Sequence, residues 1–278
     1  MAETITRCTV GLLSLLLLAA ASDPRGAAWE THMAAGKMAY EQGDYAEAEK
    51  QIKAAVKNAE GFEPEHPQLA ASLNNLAELY RTQGRYTDAE RLFKRALAIW
   101  EKTLGPEHPE VATSLNNLAL LYSHQGRHTD AERLFIRALA IREKALAPEH
   151  PEVATSLNNL AELYRIQGQY ADAERLYERA IAIDEKALGP GHPNVATDLN
   201  NLALLYGHQG RYADAEPLLK RALAIWEKAL GPEHPQVAMC LNNLALLYKD
   251  QGRYAEADPL DARVEMIRAK HAKENLAK

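Results

Sequence analysis

Five pairs of asparagines recur every 42 residues along this chain: Asn74-Asn75, Asn116-Asn117, Asn158-Asn159, Asn200-Asn201 and Asn242-Asn243. A carboxamide both donates and accepts hydrogen bonds, so a row of them could hold the backbone of an extended peptide whatever its side chains. The same capacity would let each amide satisfy a neighbouring helix, and the residue types leave both uses open. About one helical turn further on, the copies alternate. Glu78 with Arg81 and Glu162 with Arg165 occur in one set, Leu120 with His124 and Leu204 with His208 in the other, while the last copy has Leu246, Lys249 and Asp250. This is the pattern of a duplicated 84-residue double unit, either a copying relic or a device for specificity. In the second case Leu120, Leu204 and Leu246 offer apolar contact, and Arg81, Arg165 and Lys249 offer positive charge. The expected partner is then a protein or peptide segment with spaced apolar and acidic residues.

Other chemistry is sparse. His66, His108, His150, His192 and His234 each precede a proline and keep the 42-residue period. Successive copies lie about 8–10 Å apart or more, whereas a zinc ion needs its ligands at about 2 Å, so these are expected to be turn histidines and no metal site is expected. Cys240 has no His or carboxylate pattern around it in the other copies and reads as a small apolar filler. The sequence has no nucleophile constellation, phosphate-binding glycine loop or metal motif, so no catalytic residues, no cofactor and no enzymatic activity are expected. A formal charge of −6, with Lys and Arg interleaved among Asp and Glu, speaks against a grip on nucleic acid, which requires clustered cations facing phosphates.

The elements that must position these residues follow from residues 108–149. Pro109 suits a first helical position, and Val111, Leu115, Leu118, Ala119 and Tyr122 then give an apolar stripe at helical spacing. Gln125-Gly126-Arg127 stops that helix. A second is expected near Thr129-Asp130, whose side chains can cap its free N–H groups. It carries Ala131, Leu134, Phe135, Ala138, Leu139 and Ile141 inward and ends before Ala147-Pro148, where other copies have Gly-Pro. One such hairpin cannot bury both its faces, so the copies must stack.

Leu115, Leu118-Ala119, Tyr122, Gly126, Ala131, Phe135 and Ala138 have the spacing of the tetratricopeptide repeat. The longer unit, with LNNLAxLY, QGRYxDAE, KRALAIxEK and LGPEHP, resembles the 42-residue repeats of kinesin light chains and their bacterial relatives. The resemblance covers about residues 60–258, with a divergent copy before it that keeps Gly36, Tyr40, Gly43, Tyr45 and Ala48. It implies an all-α, right-handed superhelical solenoid of about six helical hairpins, with repeats near 29–65, 66–107, 108–149, 150–191, 192–233 and 234–278, the last including a charged cap. It also implies that the first helix of each hairpin lines a groove, which places the paired asparagines and the alternating residues there. No heptad coiled coil precedes the repeats in this sequence, so the fold and the peptide-binding habit carry over and a motor-adaptor role does not.

The implied function is a noncatalytic interaction module or scaffold. The alternatives are an assembly subunit that uses its convex face or edges, or a regulatory partner of a separate enzyme or signalling protein. Residues 1–22 have the layout of a secretory signal peptide, with an apolar run from Cys8 to Ala21 followed by small residues. That run is too short for a stable membrane span of about 20 residues. Export to the periplasm or the medium is therefore expected, with the cytoplasm as the alternative, and residues 23–278 form the repeat domain.

Overall fold

The computed structural model describes residues 24–62 and 66–276, and every regular element among them is an α-helix. The leader read at 1–22 lies outside the described residues. The helices are α1 (Pro24–Glu41), α2 (Tyr45–Glu60), α3 (Pro67–Thr82), α4 (Tyr86–Leu104), α5 (Pro109–His124), α6 (His128–Leu146), α7 (Pro151–Ile166), α8 (Tyr170–Leu188), α9 (Pro193–His208), α10 (Tyr212–Leu230), α11 (Pro235–Asp250) and α12 (Tyr254–Leu276). They fall into two compact units, α1–α6 ending at Ala147 and α7–α12 beginning after Pro148. In the first, α1/α2, α3/α4 and α5/α6 pack as hairpins, with α2 against α3 and α4 against α5. In the second, α7/α8, α9/α10 and α11/α12 do the same, with α8 against α9 and α10 against α11. Both units are therefore built as an α-solenoid is built, from stacked helical hairpins.

Local chemistry sets the hairpin boundaries. At the start of α5, His108 takes an extended backbone and its Nδ1 accepts the N–H of Glu110 at 3.2 Å, while Pro109 fills the first helical position. His66, His150, His192 and His234 cap α3, α7, α9 and α11 in the same way. The His-Pro histidines are thus helix caps. The helix ends across Gly126, whose φ of 74° lets the Arg127 N–H return to the Tyr122 carbonyl at 2.8 Å.

The start of α6 corrects the expected side-chain cap at Thr129-Asp130. The helix begins at His128, and the residue before it, Arg127, makes no side-chain capping bond. Asp130 instead lies in the first turn, where its charge complements the helix dipole, and it binds the Arg127 guanidinium at 2.8 Å.

First and second helices are buried to different depths. The second helix α10 buries Ala215, Leu219, Ala222, Ile225 and Trp226, a single stripe. By contrast α9 is buried without a break from Val195 to Tyr206, because α7, α8, α10 and α11 all pack on it. Close approach is built in at the first hairpin, where a Cβ on Gly36 would lie 2.7 Å from Ile52 Cγ1.

Neighbouring hairpins are tied together at the turns. Tyr122 donates to Glu90 at 3.0 Å, Arg127 pairs with the same carboxylate at 3.2 Å, and its guanidinium stacks 3.8 Å from the Tyr122 ring centroid. Tyr80, Glu49 and Arg85 repeat this arrangement, as do Tyr206, Glu174 and Arg211, and Tyr248, Glu216 and Arg253.

Candidate functional site

The deep burial of the first helices decides where the paired asparagines lie. Asn74, Asn75, Asn116, Asn117, Asn158, Asn159, Asn200, Asn201 and Asn243 are buried, and Asn242 on the last first helix is half-buried. Their amides bond to one another. Asn117 Nδ2 donates to Asn74 Oδ1 at 3.3 Å, Asn201 to Asn158 at 3.0 Å and Asn243 to Asn200 at 2.9 Å. The second amide of one hairpin thus reaches the first amide of the hairpin before it, 43 residues away. Asn200 also donates to its neighbour Asn201 at 3.2 Å. These bonds hold amide dipoles in a covered site, where an unmade hydrogen bond costs about 1–3 kcal/mol. Of the two uses open to the amides, tying helix to helix is the one seen in this structure.

The alternating residues lie at the C-terminal ends of the same helices. Expected as free cations, Arg81 and Arg165 are each clamped by a carboxylate one turn back. Arg81 binds Glu78 through Nε at 2.8 Å and Nη2 at 2.5 Å, and Arg165 binds Glu162 through the same atoms at 2.8 and 2.7 Å. Lys249 is paired with Asp261 at 2.6 Å. The cause is helical spacing, since Glu at i and Arg at i+3 share a face. Leu120 and Leu204, expected as apolar contacts for a ligand, are buried within the protein, and Leu246 is partly buried. His124 and His208 reach solvent.

The structure joins these residues in a way the alternation only hinted at. Arg81 Nη1 lies 3.0 Å from His124 Nε2 on the next hairpin, a step of 43 residues like that of the asparagines. His208 stands at the same step from Arg165 and feels its charge. The two alternating residue sets are therefore partners in one cluster, present once in each compact unit.

Two contributors escaped the reading of the sequence. Asp198 is buried on α9 and accepts from Asn158 Nδ2. It breaks the column Ser72, Ser114, Ser156, and that break was its available signal. Tyr177 is buried and donates to Glu162 at 3.0 Å, while Phe93, Phe135 and Leu219 hold its place elsewhere.

Cys240 is buried, burial pushes its thiol well up, and its Sγ lies 3.4 Å from the Leu219 carbonyl. That is the setting of an inert core thiol. Among the described residues no group of three or more His, Cys, Asp or Glu is placed to hold a metal, and no helix is long and apolar enough to cross a membrane.

Comparison with known proteins bears on the whole array. A tetratricopeptide repeat model matches residues 30–102, 68–144, 110–186, 152–225 and 199–265. The crystal structure of BtubC (BKLC) from P. vanneervenii is similar over 89% of this chain and 91% of that one, at 25% identity and a TM-score of 0.65. The nearly identical TPR-like repeats of a kinesin-light-chain-type protein from Podosopora anserina align with 74% of this chain and 98% of theirs, at 35% identity and a TM-score of 0.61. The fold is shared with pilF of Pseudomonas aeruginosa at 18% identity, over 88% of this chain and 99% of that one, with a TM-score of 0.55. No curated protein matches the chain.

Proposed function

Because the chain belongs to the tetratricopeptide repeat family, whose members are in general protein–protein interaction modules, we propose that it is a noncatalytic scaffold that holds an extended peptide or partner segment along the first helices of its hairpins. The observation that carries this reading is the repeated Glu–Arg–His cluster at the solvent-reaching end of those helices. Below it, the bonded asparagines hold neighbouring hairpins in register within each unit and so set the arginine of one first helix against the histidine of the next. A partner with spaced acidic residues is the complementary ligand, since each cluster presents an imidazole beside a guanidinium. Such repeats act through surface and register, and a charged anchor at a fixed place on the first helices of each unit can select a partner segment by its side chains.

A library of extended peptides tests this reading. The wild type is compared with two triple variants, His124→Ala/His208→Ala/Lys249→Ala on the first helices and Arg137→Ala/Lys186→Ala/Arg221→Ala on the second helices. Binding lost in the first and kept in the second, with all three proteins equally helical, is the expected result. The reverse pattern would move the interface to the second helices and support an assembly subunit. We also propose that the protein is exported, on the strength of the leader read at 1–22. N-terminal sequencing of the protein from culture fractions should then find a start near Ser22 or Asp23, and an intact Met1 would argue for the cytoplasm.

A further inference from the structure

Each cluster contains a histidine whose charge state its neighbours constrain. Arg81 is held by Glu78 on one side and donates from Nη1 to His124 Nε2 on the other, at 3.0 Å. A guanidinium has no acceptor, so Nε2 must accept, and the His124 ring is neutral with its proton on Nδ1. That proton has no partner among the described residues. Arg165 and Glu162 repeat the clamp, with Tyr177 steadying Glu162 at 3.0 Å, and His208 feels the Arg165 charge.

The groups that face the two rings come from the adjoining first helices. Burial and then Arg81 hold His124 below its ordinary range, opposed by Glu78. Burial and then Arg165 do the same for His208, opposed by Glu162 and by Asp250 on α11. A protonated ring would set two cations side by side in either place. Without an added anion that state is disfavoured.

The geometry points to a proton-gated anchor, present twice: each Glu–Arg–His cluster is neutral with a neutral imidazole and carries one positive charge with an imidazolium, which then takes a carboxylate of an extended acidic partner. The inference rests on the reading that the partner lies along the first helices. At neutral pH the chain carries a net charge of −6, which opposes the approach of an acidic segment. Acidification with an acidic partner in place turns one such point on each unit cationic. A bound carboxylate stabilises the imidazolium in return, so binding takes up protons and tightens as pH falls. An opposite charge in contact raises a histidine by about one unit or more, which by linkage makes binding about tenfold tighter per engaged cluster once the pH lies below the free histidine's range.

Fluorescence anisotropy with a labelled peptide of alternating Leu and Glu, from pH 7.5 to 5.5 at constant ionic strength, tests the gate. As pH falls through that range the affinity should rise, by up to about tenfold per cluster, a Leu–Gln peptide should show no such rise, and His124→Gln/His208→Gln should flatten the profile. Gln keeps an acceptor for the arginine and cannot take the charge. Pairwise binding of the acidic peptide that does not change with pH, or a rise that persists in the double variant, overturns the gate and leaves the binding face standing. Binding of neither peptide at any pH overturns both. Should the variant fold poorly, NMR titration of the wild-type rings decides: both should titrate higher with the acidic peptide than without it, and unmoved titrations overturn the proposal.

Discussion

At the scale of single residues, two backbone positions show how tightly the repeat constrains its sequence. Ala147 follows α6 at φ 77° and ψ 148°, a conformation that Gly105, Gly189 and Gly231 supply after α4, α8 and α10. A side chain there costs about 1–3 kcal/mol. Ala147→Gly should therefore raise the unfolding midpoint by the equivalent of about 1 kcal/mol, and no rise would mean that the strain is relieved locally. Gly36 is the opposite case. Its missing Cβ leaves room for Ile52, so Gly36→Ala should destabilise the first hairpin by about 1–3 kcal/mol, read as faster hydrogen exchange in α1 and α2. Equal exchange in the two proteins would show that Ile52 moves aside freely.

At the scale of the element, the helix caps and the turn clamps each carry a measurable share. His108→Ala removes the acceptor for the Glu110 N–H and should cost about 1 kcal/mol. His108→Asn should recover most of it, and equal losses in both would assign the histidine's role to packing. The clamp at the last hairpin adds a pH signature. Arg253, and after it Lys220, draw the Glu216 carboxyl down to about 2, whereas a glutamate in the unfolded chain titrates near about 4.3. A depressed carboxyl stabilises the fold above its unfolded value and loses that contribution as pH falls. Amides of α11 and α12 should therefore lose protection between about pH 4.3 and 2. Glu216→Gln should already lack this contribution at neutral pH, about 1 kcal/mol after solvent screening, and should be less acid-sensitive than the wild type. An equally acid-sensitive variant would place the effect elsewhere.

Much of this was legible locally. Pro109 after His108, and Gly126 after Gln125, mark a helix start and stop through backbone preferences that need no neighbour. The fate of Asn117 was not, because its burial depends on α3 as well as on its own hairpin, and a sequence shows one helix at a time. Arg81 read as a free cation for the same reason: Glu78 was visible three residues away, but His124, on the next hairpin, was not seen as its partner. Thr129-Asp130 read as a cap because their residue types favour one, while Arg127 takes that position.

At the scale of the whole molecule, the tetratricopeptide array repeats with a step of 42 residues, while its bonds between copies step by 43. Within each unit, a first helix must therefore be read together with the one after it. Removal of residues 108–149 would keep the amide pairing, because Asn159 would arrive opposite Asn74, but it would set Ile166 opposite Arg81. Removal of 108–191 would bring Asn201 and His208 to those places. Both shortened proteins should fold as helical arrays, and only the longer deletion should keep a histidine titration coupled to Arg81. Loss of that coupling in both would mean that more than the step governs it.

For the gene, the bonded amides tolerate unequal crossing-over in units of one repeat, because each of the five later copies carries the same pair of asparagines. The Arg–His contact tolerates it only in units of two. A lineage that retains the contact should therefore gain and lose its coding segments in pairs, with an even step in repeat number between sister genes.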